Sequence, residues 1–182
     1  VIFRPLPVEG AYLVEIEEIS DHRGSFGRSY CRRSFVERGL EDVSEQCNVS
    51  YNRLAGTLRG LHGTRPGFPE AKLVRCTAGA IFDVVADARP GSPTYGTWFG
   101  AELSAVNRRM LYAPPGCVHG FLTLVDGAEV FYQMSSAFVA EAAMGVAWND
   151  PNLAIVWPGA PKVISERDAA LPRLAELAAS PR

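Results

Sequence analysis

The chain has 182 residues, of which 47% are hydrophobic and 21% charged, a composition suited to one globular domain (1–182) with a sizeable core. A net charge of −2 excludes a whole-surface field for gathering nucleic acid or acidic membranes, and no apolar run approaches the roughly 18 residues of a membrane span. Cys31, Cys47, Cys76 and Cys117 are scattered with no CxxC pair, which argues against a zinc knuckle or a redox dithiol. The sequence carries no signal-peptide pattern, so free thiols in a reducing cytoplasm are expected; it starts at Val1, which leaves room for a short piece ahead of it.

Short β-type runs follow one another with turn residues between them. Strands are predicted over 12–19, 45–51, 57–62, 71–76, 80–86, 96–103, 108–112, 120–124 and 129–134. Gly79, Pro90-Gly91, Pro114-Pro115-Gly116 and Asp126-Gly127 punctuate them. The run AIFDVVADA is nearly continuous in apolar residues, as expected of a strand buried on both faces. Helix is sparse: a short one over 33–38 closed by Gly39, and a C-terminal one over 168–178 kinked or delayed by Pro172. Many short strands with little helix predict an all-β sandwich or barrel, of which the cupin-type double-sheet jelly roll is one form.

The segment PPGCVHGF resembles the second cupin motif and supplies His119. Where the first motif needs H-x-H and a carboxylate, this chain reads LHGTRPGFPE, with only His62 and a distant Glu70. Two histidines and one glutamate are a thin ligand set for a metal. Taken singly, His62, Lys72 and Arg59 read as a satisfied strand histidine, a snorkelling lysine and a surface cation, and SEQCNVS as a solvated edge strand. Together they read differently. Gln46, Asn48, Arg59, His62, Lys72 and His119 fall on strands expected to neighbour one another, and such groups gather inside a jelly roll when something polar and anionic binds there.

The segments DHRGSF, QCNVSYN, LRGLH, AKLVRC, FDVVADAR, SPTYGTW, LSAVNRRMLYAPPGCVHGFLTL and WNDPNLAIVWP run in order from residue 21 to 158, and SERDAALP extends them. With these the chain resembles the dTDP-4-dehydrorhamnose 3,5-epimerase family, which acts on dTDP-4-keto-6-deoxysugars. The resemblance implies a jelly roll that needs no metal or cofactor and forms a homodimer by strand exchange. It implies His62 as the base, Asp168 as the carboxylate paired with it and favouring its imidazolium, and Lys72 as the cation near the sugar carbonyl. Tyr132 matches the proton donor, and on its own reads equally well as a core tyrosine with a satisfied hydroxyl. Arg59 and Arg23 match the diphosphate and nucleotide contacts, Arg23 reaching across the dimer. Gln46, Asn48 and His119 match substrate contacts, and Phe138 the aromatic position that stacks on thymine.

Several positions depart from the family pattern. Gly63-Thr64 stands where an aromatic and a glutamine are usual, Arg28 and Ala143 where glutamates are, and Arg167 where a lysine is. Gly63, Thr64 and Ala143 together predict a roomier pocket. The reading is an epimerase of a dTDP-4-keto-6-deoxyhexose inverting C3, C5 or both. The rivals are a metal-dependent cupin enzyme and a jelly roll that binds a sugar nucleotide without catalysis.

Overall fold

The structure, a computed structural model, describes residues 1–179. In chain order the first strands are β1 (Ile2–Pro5), β2 (Tyr12–Glu15), β3 (Ile19–Asp21), β4 (Gly24–Phe26), β5 (Gln46–Asn52) and β6 (Leu58–Thr64). They are followed by β7 (Lys72–Ala78), β8 (Ala80–Asp87), β9 (Trp98–Ser104), β10 (Met110–Ala113), β11 (Cys117–Thr123), β12 (Ala128–Met134) and β13 (Ala143–Gly145). Helices are few and short: α1 (Arg32–Val36), α2 (Glu166–Ala169) and α3 (Leu174–Ala179).

Two antiparallel sheets face each other, one ordered β1-β2-β10-β7-β12-β5 and the other β13-β6-β11-β8-β9, while β3 and β4 form a separate hairpin. This is the expected all-β jelly roll of cupin type. The period of two along each strand sorts its side chains between the layers. Val74, Cys76, Ile81, Val85, Leu111, Phe121 and Val130 meet between the sheets and make the central core. From the same strand β8, Val84 and Ala86 point the other way, against Leu61, Val118, Val146, Leu153 and Leu174. So AIFDVVADA is buried on both faces because the C-terminal segment covers the outer face of its sheet. The outer face of the larger sheet is covered at one end by Phe35 of α1, packed on Val14, Leu73, Met110 and Tyr112.

The departures from expectation are local. The predicted run over 12–19 ends at Glu15, and the chain resumes as the β3–β4 hairpin. The predicted C-terminal helix is two pieces separated by Pro172, which cannot supply the amide a continuous helix needs. Strand β11 begins at Cys117, upstream of its predicted start at 120, which places His119 inside the sheet.

Candidate active site

The site lies between the sheets at one end of the core, in a cleft of about 550 Å³. Parity along the strands explains why its side chains point inward. Lys72 precedes Val74 and Cys76 on the inward face of β7, His119 lies between the core residues Cys117 and Phe121 of β11, and Tyr132 follows Val130 on β12. On β5 burial alternates: Gln46, Asn48 and Ser50 turn inward, and Cys47, Val49 and Tyr51 are exposed. That strand is also an edge of its sheet, with Cys47, Val49 and Tyr51 solvated and Gln46, Asn48 and Ser50 lining the cleft.

His62 and His119 stand directly opposite each other in the β6–β11 ladder, and each is held by its own carboxylate. His62 Nε2 lies 2.8 Å from Asp168 Oδ1, while Asp168 Oδ2 accepts the Gly60 amide at 3.0 Å. Asp168 is itself fixed at the start of α2, where Ser165 caps the helix by accepting the Asp168 amide. With Nε2 donating to the carboxylate, the tautomer leaves a lone pair on Nδ1. Burial holds His62 below the ordinary histidine pKa; Asp168 pulls it back up, and Lys72 and Arg167 add to the lowering. Asp168 by itself favours the imidazolium, and desolvation outweighs that pull, so the net direction is towards the neutral form suited to a base. His119 Nε2 lies 2.7 Å from Asp83 Oδ1, and burial pushes the fully enclosed Asp83 carboxyl above the ordinary range.

The opposite wall carries Lys72 and Tyr132. Lys72 Nζ lies 2.6 Å from Glu70 Oε1, and burial holds the Tyr132 phenol above its ordinary pKa, Glu70 raising it further and Arg59 opposing. Arg59 donates Nε–H to Asn52 Oδ1 at 2.8 Å, which orients its guanidinium. Gln46 Oε1 accepts the Phe138 amide at 3.0 Å, tying the loop that bears the exposed Phe138 ring to β5. Arg167, Thr64 and Ala143 also line the cleft.

The cleft thus brings together His62, Asp168 behind it, Lys72, Tyr132, Gln46, Asn48, Arg59, His119 and Phe138. Arg23 is not brought in. It sits at the tip of the β3–β4 hairpin, largely exposed and paired with Asp21. Arg28 is exposed as well. Gly63 contributes no extra room, contrary to expectation: a Cβ there would lie 2.7 Å from the Cys117 carbonyl oxygen and 3.1 Å from Val118 Cγ1, so β11 already fills that space. Sequence reasoning gave no role to Asp83, Asn52 or Glu70 as partners of His119, Arg59 and Lys72. Spacing could have flagged only Glu70, two residues before Lys72 on an extended chain. Among the described residues no group of three or more His, Cys, Asp or Glu side chains is placed to hold a metal ion.

The sequence model of the dTDP-4-dehydrorhamnose 3,5-epimerase family matches residues 5–176. The chain belongs to that family. The dTDP-4-dehydrorhamnose 3,5-epimerase of Sinorhizobium fredii is 40% identical over 180 residues, 98% of this chain and 92% of the relative. The crystal structure of a 4-keto-6-deoxy sugar epimerase from the novobiocin biosynthetic gene cluster of Streptomyces spheroides superposes with a TM-score of 0.89 at 39% identity, covering 96% of this chain and 88% of that one. A 3'-monoepimerase from Streptomyces bikiniensis in complex with dTDP-quinovose gives 0.86 at 36% identity, covering 94% and 87%. The chain is therefore an isomerase, an epimerase of the dTDP-sugar type. No helix among the described residues of the epimerase is long and apolar enough to cross a membrane.

Proposed function

We propose that this epimerase inverts C3 and C5 of a dTDP-4-keto-6-deoxyhexose, with His62 as base and Tyr132 as acid. The reading is carried by one observation: the His62–Asp168 pair and the Tyr132 phenol open on one cleft from opposite sheets. Protons on C3 and C5 flank the C4 carbonyl, so removing one gives an enolate. Neutral His62 takes the proton at Nδ1 and becomes imidazolium, stabilised by Asp168. The electron pair moves onto the C4 oxygen, where the Lys72 ammonium offsets the developing charge. Tyr132, kept protonated by its environment, delivers a proton to the other face of the carbon, and exchange with solvent restores both groups. Arg59, Gln46, Asn48 and His119 bind the substrate, Arg59 through its diphosphate, and Phe138 stacks on the thymine.

The enzyme acts as a homodimer in which the partner's β3–β4 hairpin supplies Arg23, the cation the isolated chain leaves outside its cleft. The similarity to a 3'-monoepimerase favours a second reading, inversion at C3 alone. The two are separated by NMR of the 4-keto sugar nucleotide in heavy water with enzyme. Deuterium entering C3 and C5 with inversion at both is the expected result; exchange confined to C3 establishes the second reading, and no exchange at either carbon overturns both.

A further inference from the structure

A buried carboxylate is an unexpected neighbour for a site that must bind a diphosphate and build up an enolate. Glu70 has only 4% of its side chain exposed, its Oε1 lies 2.6 Å from Lys72 Nζ, and it lines the same cleft as His62 and Tyr132. It leads into β7 two residues before Lys72, so both side chains leave the extended chain on one side. Across the β7–β12 ladder Met134 stands opposite Lys72 and Tyr132 opposite Val74, which puts Tyr132 diagonal to Lys72 on the inward face. Such diagonal neighbours stand roughly 7–8 Å apart, within reach of long side chains, and the phenol and the Lys72–Glu70 pair line the same cleft.

We propose that Glu70 is a positioning residue of this epimerase, aiming the Lys72 ammonium at the sugar's keto oxygen and keeping the Tyr132 phenol protonated by its charge. One of the three ammonium N–H bonds goes to Glu70, which fixes the direction of the other two. The same carboxylate disfavours a phenolate nearby, in accord with its part in raising the Tyr132 pKa. The other charged or titratable groups lining the cleft with the phenol are Lys72 on β7, Arg59 and His62 on β6, His119 on β11, Arg167 on α2 and the exposed Tyr51 on β5. All the charged ones except Glu70 are cations or potential cations, which favour the phenolate. Glu70 is the one carboxylate lining the cleft among the described residues. In its absence the surrounding charge would tip the acid towards giving up its proton early.

This inference rests on the epimerase reading above, but its first arm needs no substrate. In protein labelled at tyrosine Cζ with carbon-13, Tyr132 is identified by the signal missing in Tyr132→Phe and titrated in the wild type and in Glu70→Gln. The glutamine keeps an oxygen for the ammonium and removes the charge, so the phenol should titrate about one pH unit lower. In the second arm, Glu70→Ala should lower kcat for deuterium exchange by roughly tenfold with a smaller change in KM, the usual worth of one charge-assisted hydrogen bond. Glu70→Gln should restore the rate to within about threefold of wild type. An unmoved Tyr132 titration overturns the proposal. So does a wild-type kcat in Glu70→Ala, or an equal loss in both variants accompanied by a lowered thermal midpoint, which would make Glu70 a purely structural partner of Lys72. A wild type without exchange defeats the epimerase reading, and the titration still tests Glu70.

Discussion

At the scale of single residues, His62 and Asp168 make the sharpest test. His62→Ala should abolish exchange at both carbons while the nucleotide still binds, and Asp168→Asn should cost on the order of 10²-fold or more in kcat. Their pH dependence follows from the direction of the histidine's shift. Because burial lowers the His62 pKa, the acidic limb of kcat/KM should fall below the ordinary histidine range, and activity should rise with pH through it. Asparagine at 168 removes the influence that raises that pKa, so the limb should move to still lower pH; a limb that moves upward would contradict the balance drawn here. Tyr132→Phe should retain deuterium exchange at one carbon or more and lose most inverted product. Normal epimerisation in that variant would leave Tyr132 a packing residue. Of the residues that contact substrate in the proposed mechanism, Gln46, Asn48, Arg59, His62, Lys72 and His119 were legible because polar and charged side chains are out of place together in a β-core, whereas Tyr132 and Phe138 came from the family resemblance. The supports of these residues were less legible. Asn52 and Asp83 are joined to Arg59 and His119 by strand pairing and loop path, which a single chain of letters does not display; only Glu70, two residues before Lys72, could have been flagged by spacing.

At the scale of elements, β6 and β11 approach closely beside the paired histidines. A Cβ on Gly60 would lie 2.6 Å from Gly120 Cα, and one on Gly120 would lie 2.7 Å from the Arg59 carbonyl oxygen, with backbone atoms that cannot turn aside. Gly60 also has φ of +120°, a conformation that L side chains rarely adopt. Gly120→Ala should therefore destabilise the fold by about 1–3 kcal/mol in denaturant titration and spread His62 from His119, lowering kcat/KM beyond the loss of folded protein. The strands themselves were legible from alternation and turn residues, since a strand half-buried between two layers must alternate. The failures came where that rule has nothing to act on: β1, β13 and the β3–β4 hairpin are three or four residues long, too short for a period to register. Likewise the apolar spacing over 168–178 suits one helix, and Pro172 alone decides that it is two.

At the scale of the whole molecule, the β3–β4 hairpin calls for a partner. It has two strands of three residues, every one of them exposed, with Ile19 and Phe26 at 76% and 79% exposure paired in the ladder. A hairpin that small has no core of its own, and two large apolar side chains held in water are unfavourable unless something covers them. Edge strand β5 has the same problem on its outer face, with Val49 and Tyr51 exposed next to the mouth of the cleft. In the proposed two-fold dimer each chain would lay its hairpin against the other, covering both surfaces and carrying Arg23 at the hairpin tip towards the partner's proposed nucleotide end. Sedimentation at micromolar concentration should then give a homodimer. Phe26→Asp should shift it towards monomer, and Arg23→Ala should stay dimeric but raise KM by roughly tenfold, the loss of one charged contact to phosphate. The two variants part the alternatives cleanly. If Phe26→Asp remained dimeric with wild-type KM, the hairpin would not be the joint; if Arg23→Ala left KM untouched, the hairpin would hold the dimer together without reaching the substrate.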